Sequence, residues 1–372
     1  MIRALRRAYE NFRGFDEVGS TVPMMDGKLK PNTRLDEAPV RLKLPDVDCL
    51  LPTPGGLFCA AGNELLALHA ASPGVPDLAV ASRQGLPATI TCLASDGAGG
   101  MAVGLDGQGI VLRGGRHDGR SIGAVAGQPL ACPTAALFLD ADTLLVANGA
   151  ADLPASEWKR DLMGRGSGGR VVRLDLRSDA AGVVLADRLA FPCGLARGGD
   201  GGILVSEAWR HRLVAIDAER PGQLREVLVD LPAYPGQMAA AADGGVWLAL
   251  FAPRNQLVEF VLREPAYRRR MMETIDPAYW IAPSLASGAS YLEPIQGGAR
   301  KKLNIMKPWA PTWSHGLVVR CDAAAQPLAS YHSRADGQVH GVTSVCACDG
   351  RLLVAAKGSG VIVELATQGE SA

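Results

Sequence analysis

The chain has 372 residues, with 38 Lys plus Arg against 38 Asp plus Glu, 44 glycines and 24 prolines. Balanced charge leaves no net field to draw in nucleic acid or an anionic membrane, and no apolar run approaches the roughly 18 residues of a membrane span. A single soluble domain rich in turns is the class that remains.

In chain order, the first segment is MIRALRRAYENFRGF, which lacks the apolar stretch of a signal peptide. Ile2, Leu5, Tyr9 and Phe12 fall at helical spacing, predicting a short amphipathic helix within an N-terminal extension over residues 1–37. Such a helix either rests on a membrane surface or docks on the body of the protein, and its narrow apolar face favours docking. Pro39 to Leu44 then alternates as a short strand.

Between residues 38 and 372 one template recurs: a small-residue strand, a turn of the Asp-Gly kind, then an apolar strand. FPCGLARGGDGGILVSEAWRHRLVAID (Phe191 to Asp217) and YPGQMAAAADGGVWLALF (Tyr234 to Phe251) show it best. Weaker copies run over Leu50 to Leu68, Ile90 to Arg113, Cys132 to Gly149 and Val342 to Leu365, giving six units. A period of about 40 to 45 residues predicts an all-β fold, a six-bladed β-propeller. A two-sheet sandwich fits the turns but not a repeat of this length. The last unit has only three strands, so the strand at 39–44 is expected to complete it and close the ring.

Two insertions interrupt the period, Ala150 to Gly169 and residues 252–314, the second reading as helix, proline, helix over Leu257 to Met272. Each falls after the second strand of its blade, so both are expected to roof one mouth of the channel, where a small-molecule ligand is expected. Family decoration or an oligomer contact is the competing reading. Trp158 and the pair Trp309 and Trp313 lie in these insertions and suit stacking on an aromatic or cyclic ligand. The eight cysteines form no C-x-x-C pair; most sit among strand residues as small hydrophobes, which predicts a reduced, cytoplasmic protein. Gly164 to Gly169 precedes a strand and lacks the helix of a dinucleotide or phosphate loop, and Arg268 to Arg270 is too short to argue for nucleic acid.

VSEAWRHRLVAID, LVDLPAYPGQ with GGVWLAL, EFVLREPAYRRRMM, GLVVRCD, LASYHSRADGQV, VTSV and CDGRLLVAA together resemble the strictosidine synthase-like family. Its relatives include adipocyte plasma-membrane-associated protein, paraoxonase and gluconolactonase. The likeness is good from Phe191 to Leu365 and poor over the first 130 residues. In the lactonase relatives it implies a channel calcium held by carboxylate and amide oxygens at motifs resembling P-N-G-L and P-D-N-I. This chain has Pro192-Cys193-Gly194-Leu195 and Pro235-Gly236-Gln237-Met238 there, so a thiol replaces one amide. Asp48 and Asn148, the latter resembling a paraoxonase ligand position, are the metal-ligand candidates left, a weak set that disfavours calcium and implies no other cofactor. The alkaloid synthases imply a glutamate acid and base near Thr343 and Ser344. Neither residue carries a proton as a carboxylate does, so strictosidine synthesis itself is not expected.

Glu207 and His340 are the catalytic candidates, as a carboxylate base and an imidazole that titrates in a useful range. A structural ion pair of Glu207 with Arg210 or Arg212, and a turn hydrogen bond for His340, compete with those roles. Cys193, Gln237, Trp158, His315, Thr343 and Ser344 are candidates to line the ligand site; Cys193 becomes a nucleophile only with a lowered pKa. The expected function is a lactonase or aryl-esterase type of hydrolase, or a related lyase, acting on a small cyclic or aromatic substrate. The alternative is a non-catalytic small-molecule-binding propeller.

Overall fold

The structure, a computed structural model, describes residues 22–72, 74–178, 182–286, 301–302, 305–306, 314–334 and 337–366. The helix expected near the N-terminus, and Trp309 and Trp313, lie outside the described residues.

Six four-stranded antiparallel sheets form a β-propeller. From the channel outward, blade one is Val47–Thr53, Gly56–Ala61, Glu64–Ala70 and Leu78–Gly85, and blade two is Ile90–Ser95, Met101–Leu105, Gly109–Arg113 and Ser121–Ile122. Blade three is Pro133–Asp140, Thr143–Asn148, Gly169–Asp175 and Gly182–Leu189, and blade four is Pro192–Arg197, Ile203–Glu207, Arg212–Ile216 and Leu224–Leu228. Blade five is Ala233–Ala240, Val246–Pro253, Gly316–Cys321 and Pro327–Ser333. Blade six takes Val342–Cys348, Arg351–Ala356 and Val361–Leu365 from the end of the chain and Val40–Lys43 from its beginning.

That last pairing closes the ring. Val40 lies opposite Val363 and Leu42 opposite Ile362, while Arg41 Nε donates to Glu364 at 2.7 Å and Arg351 Nη2 reaches the same carboxylate at 2.8 Å. A propeller seam left open would expose two sheet edges; here the first strand covers one. Residues 22–39 fasten the seam further. Leu35 is fully buried between blades five and six, and Asp36 accepts from the Ser333 hydroxyl at 2.6 Å.

The second strands show why the sequence reads as apolar runs rather than alternations. Ile203–Glu207 and Leu352–Ala356 are buried almost throughout, because each blade is sandwiched between two neighbours and both faces are covered. Val47, Leu50 and Leu57 of the first blade, for instance, pack with Leu353, Ala355 and Ile362 of the sixth. At the Asp349-Gly350 hairpin both residues take positive φ, the mirror-image turn that matches strand twist and that the Asp-Gly pair favours.

Both insertions leave their blades between the second and third strands. The first carries α1 (Trp158–Gly164); the second carries α2 (Gln256–Arg263) and α3 (Pro265–Thr274). The Asn255 side chain accepts the Leu257 N–H at the start of α2, and Pro265 starts α3 where its missing N–H is not needed. Leu162 and Met163 of α1 pack with Val258, Val261 and Met271 of the other two in one apolar cluster. No helix among the described residues is long and apolar enough to cross a membrane.

Candidate functional site

Every innermost strand starts with an irregularity. In blade one the register passes from Val47–Ala61 to Leu50–Cys59, leaving Asp48 and Cys49 opposite the single residue Ala60. In blades two, three, four and six the unpaired residue is Thr91, Thr134, Cys193 and Thr343 respectively; in blade five Gly236 and Gln237 face Ala249. A bulge of this kind re-aims a side chain out of the sheet. The result is a ring contributed by all six blades, and Asp48, Thr91, Thr134, Cys193, Gln237 and Thr343 all line one cavity of about 320 Å³ at the channel mouth.

The insertions form its roof. Ala155, Ser156 and Trp158 from the first and Leu285 from the second line the same cavity, with Phe191 and Phe251 completing an aromatic wall. Trp158 stacks on Trp209 at 6.2 Å between ring centroids and meets Phe251 edge-on at 5.8 Å. Trp209 in turn lies 4.4 Å from Phe191, and its indole N–H donates to Asp161 of α1 at 2.8 Å. That bond pins the roof helix to blade four. Burial raises the Asp161 carboxyl above its ordinary range despite the opposing indole bond.

Among the described residues three charged groups line the cavity: Asp48, Asp106 and Lys357. Lys357 Nζ lies 2.7 Å from Asp48 Oδ2, and this carboxylate, more than any other neighbour, holds the ammonium above the usual lysine range. Asp106 Oδ1 accepts the Ser156 N–H at 3.2 Å, tying the first insertion to blade two. The neutral ring members are held by their surroundings. Thr134 donates to the Pro192 carbonyl at 2.5 Å, the Gln237 amide donates to Cys49 Sγ at 3.0 Å, and Cys193 Sγ donates to the Pro235 carbonyl at 3.0 Å. Burial pushes the Cys193 thiol up to about 12, against a weaker lowering by Ser206. A thiol in that state is not a nucleophile at neutral pH. Next to it Gly194 has no room for a Cβ, which would strike the Gly236 carbonyl oxygen of blade five.

The structure therefore brings together Asp48, Cys193, Gln237, Trp158 and Thr343 from the sequence-derived set. It does not bring Glu207, His340, His315, Ser344 or Asn148 to the cavity. Glu207 is fully buried within the wall of blade four; it pairs with Arg210 and Arg212 and accepts the Ala190 N–H at 2.6 Å. His340 is spanned by Ser314 Oγ at 2.7 Å and the Arg334 carbonyl at 2.8 Å, so both ring nitrogens are engaged. His315 Nε2 bonds His332 Nδ1 at 2.9 Å, and burial takes them down to about 3 and about 4. Ser344 Oγ accepts the Leu50 N–H at 3.0 Å. The Asn148 amide closes its own loop, accepting from Cys132 N–H at 2.9 Å and donating to the Ala150 carbonyl at 2.6 Å.

Sequence reasoning missed Thr91, Thr134, Asp106 and Lys357. The register shows the signal that would have found the two charges. Glu207 and Asn148 are the residues paired with the first residue of the inner strand, Pro192 and Pro133. Asp106 and Lys357 come one residue after their counterparts, Leu105 and Ala356. One step along an extended chain reverses the side chain, and in blades two and six that later position reaches the mouth.

No family model matches the chain, and no curated protein matches it. Its fold is similar to that of a gluconolactonase from Xanthomonas campestris, at 11% identity over 88% of this chain and 87% of that one, with a TM-score of 0.55. A putative gluconolactonase gives 12% identity, 88% and 91% coverage and a TM-score of 0.54. A luciferin-regenerating enzyme gives 11% identity, 89% and 94% coverage and a TM-score of 0.51. At such identities the likeness is one of fold: the gluconolactonase-like six-bladed propeller.

Proposed function

We propose that the chain is a strictosidine synthase-like propeller whose roofed mouth hydrolyses a small lactone or aryl ester, or carries out a related lyase reaction on a cyclic or aromatic substrate. The observation that carries this reading is the joining of a carboxylate, Asp106, and an ammonium, Lys357, with an aromatic wall in one cavity of about 320 Å³, a volume suited to a small ring. Asp106 takes a proton from water, whose oxygen adds to the substrate carbonyl carbon. Lys357 donates to the oxygen on which negative charge then collects. The ring or ester C–O bond breaks, and the departing oxygen receives the proton from Asp106. The gluconolactonases among the structural neighbours are in keeping with this chemistry at the level of fold only. The eight free cysteines go with a reducing compartment such as the cytoplasm.

A non-catalytic binding propeller is the second reading, and the engagement of both His340 nitrogens and of the Glu207 carboxylate within the walls favours it. A panel of lactones and aryl esters, assayed with calcium and with EDTA, separates the two. The hydrolase reading expects turnover that Asp106→Asn reduces at least a hundredfold and that His340→Ala leaves within a few-fold, in line with ~10²–10⁴ for a general base. Absence of turnover on every substrate, with thermal stabilisation by one of them, establishes the binding reading instead.

A further inference from the structure

The sequence resembles a family whose lactonase relatives hold a channel calcium, which raises the question of what cation the mouth is built for. A calcium ion takes about six to eight oxygens, several from carboxylates. Among the described residues no three His, Cys, Asp or Glu side chains gather closely enough to hold a metal ion. Of the ring positions, Cys193 offers sulfur and Thr134 has its hydroxyl turned to the Pro192 and Ala147 carbonyls. Asn148 has its amide oxygen on Cys132. Asp48 is the ring's one carboxylate, and it already faces a cation at 2.7 Å. The residues present do not fit calcium.

We infer that the Nζ of Lys357 is the resident cation of this mouth: a tethered ammonium, anchored by Asp48, that occupies the ring's single carboxylate and makes the site indifferent to divalent ions. The placement follows from the fold. Lys357 comes directly after the second strand of blade six, the position whose side chain turns into the mouth. Asp48 comes from the bulge of blade one, across the seam between first and last blades. Both are largely shielded, at 30% and 16% side-chain exposure, so each needs the other; a buried carboxylate stripped of its partner must find another cation or a proton. Burial opposes the charged ammonium, and Asp46 adds a smaller bias toward it. The inference stands apart from the hydrolase reading, because a metal titration reads the cation position whether or not anything is turned over.

Calcium alone is the probe, followed by calorimetry and by thermal unfolding. The wild-type protein is expected to show no calcium heat and no Tm shift at millimolar calcium. Lys357→Met is expected to melt several degrees lower with or without calcium, because it leaves Asp48 without its partner; the double variant Lys357→Met with Asp48→Asn is expected to regain part of that loss. Calcium binding by the wild type that Asp48→Asn abolishes overturns the inference, and so does a folded Lys357→Met as stable as the wild type. If Lys357→Met does not fold, NMR of 13C-methylated lysines in the wild type decides. One resonance titrating above the ordinary lysine range, and returning to it in Asp48→Asn, supports the tethered pair. A Lys357 resonance that titrates as a free lysine overturns it.

Discussion

Acid is expected to unfold this propeller well before its carboxylates are protonated, because burial lowers the pKa of three of its six histidines. Burial holds His315 down to about 3 and His332 to about 4, and pushes His211, also facing Arg254, well below the ordinary value. In the unfolded chain each titrates near 6.5. Below that pH the unfolded state binds more protons than the native one, so stability is intact above about 6.5 and falls as the pH drops toward 3 or 4. At pH 5 His315 and His332 cost about 2 kcal/mol each, about 4 kcal/mol together, and His211 adds to this in the same direction. That is comparable to the whole stability of many domains, about 5–15 kcal/mol. Urea unfolding at closely spaced pH values between 6.5 and 5, followed by tryptophan fluorescence, reads the slope. The difference between the states is expected to grow from about 1.5 protons at pH 6.5 toward about three at pH 5, and His332→Gln is expected to remove roughly a third of it. A slope of less than one proton, or one that His332→Gln leaves unchanged, refutes the reasoning.

Further expectations concern the walls and the seam. Glu207→Gln leaves Arg210 and Arg212 facing a neutral group inside blade four and is expected to cost about 3–5 kcal/mol in urea unfolding, with ligand affinity at the mouth unchanged in the protein that remains folded. Native thiols titrated with iodoacetamide at pH 8 are expected to react slowly, Cys348 first as the one cysteine not fully buried, and Cys193 only on unfolding. Deleting residues 38–45 removes the strand that closes blade six, so calorimetry is expected to show the main transition itself lowered; an unchanged main transition with a small early step would contradict closure by that strand.

Much of the fold was legible because the propeller writes a repeat into the chain. The paired segments at Phe191 and Tyr234 became neighbouring blades, and the alternating strand at Pro39 to Leu44 joined the last blade as its spacing implied. The site was legible only in part. Asp48, Cys193, Gln237 and Thr343 sit at inner-strand starts recognisable by their sequence neighbours, whereas Thr91 and Thr134 look like ordinary strand threonines until the bulge exposes them. A bulge is an accommodation between two strands; no single strand announces it. His340 and Glu207 drew attention by chemical type, yet burial with partners on every polar atom turned the one into a strut between Ser314 and Arg334 and the other into the centre of an arginine clamp.

The one-residue offset between Glu207 and Lys357 has a consequence for how such a mouth changes its chemistry. The position that ends a second strand faces the blade wall, where a charge must be fully paired, as Glu207 is by Arg210 and Arg212. In blades two and six the position after it lines the cavity, as Asp106 and Lys357; in blades three and four it holds the buried small residues Gly149 and Ala208, and in blade five Arg254, buried and paired with Asp230 and Glu259. Substituting the wall position disturbs folding, while substituting Asp106 or Lys357 alters charge at the mouth. Ala208→Asp is therefore the more informative gain-of-charge variant than any change at Glu207. Ala208 is fully buried beside Phe191 and Trp209, so the new carboxylate either reaches the cavity and leaves the fold intact, or stays in the aromatic cluster and unfolds blade four. The first outcome would make the residue after the second strand the general address of the mouth; the second would confine that address to blades two and six.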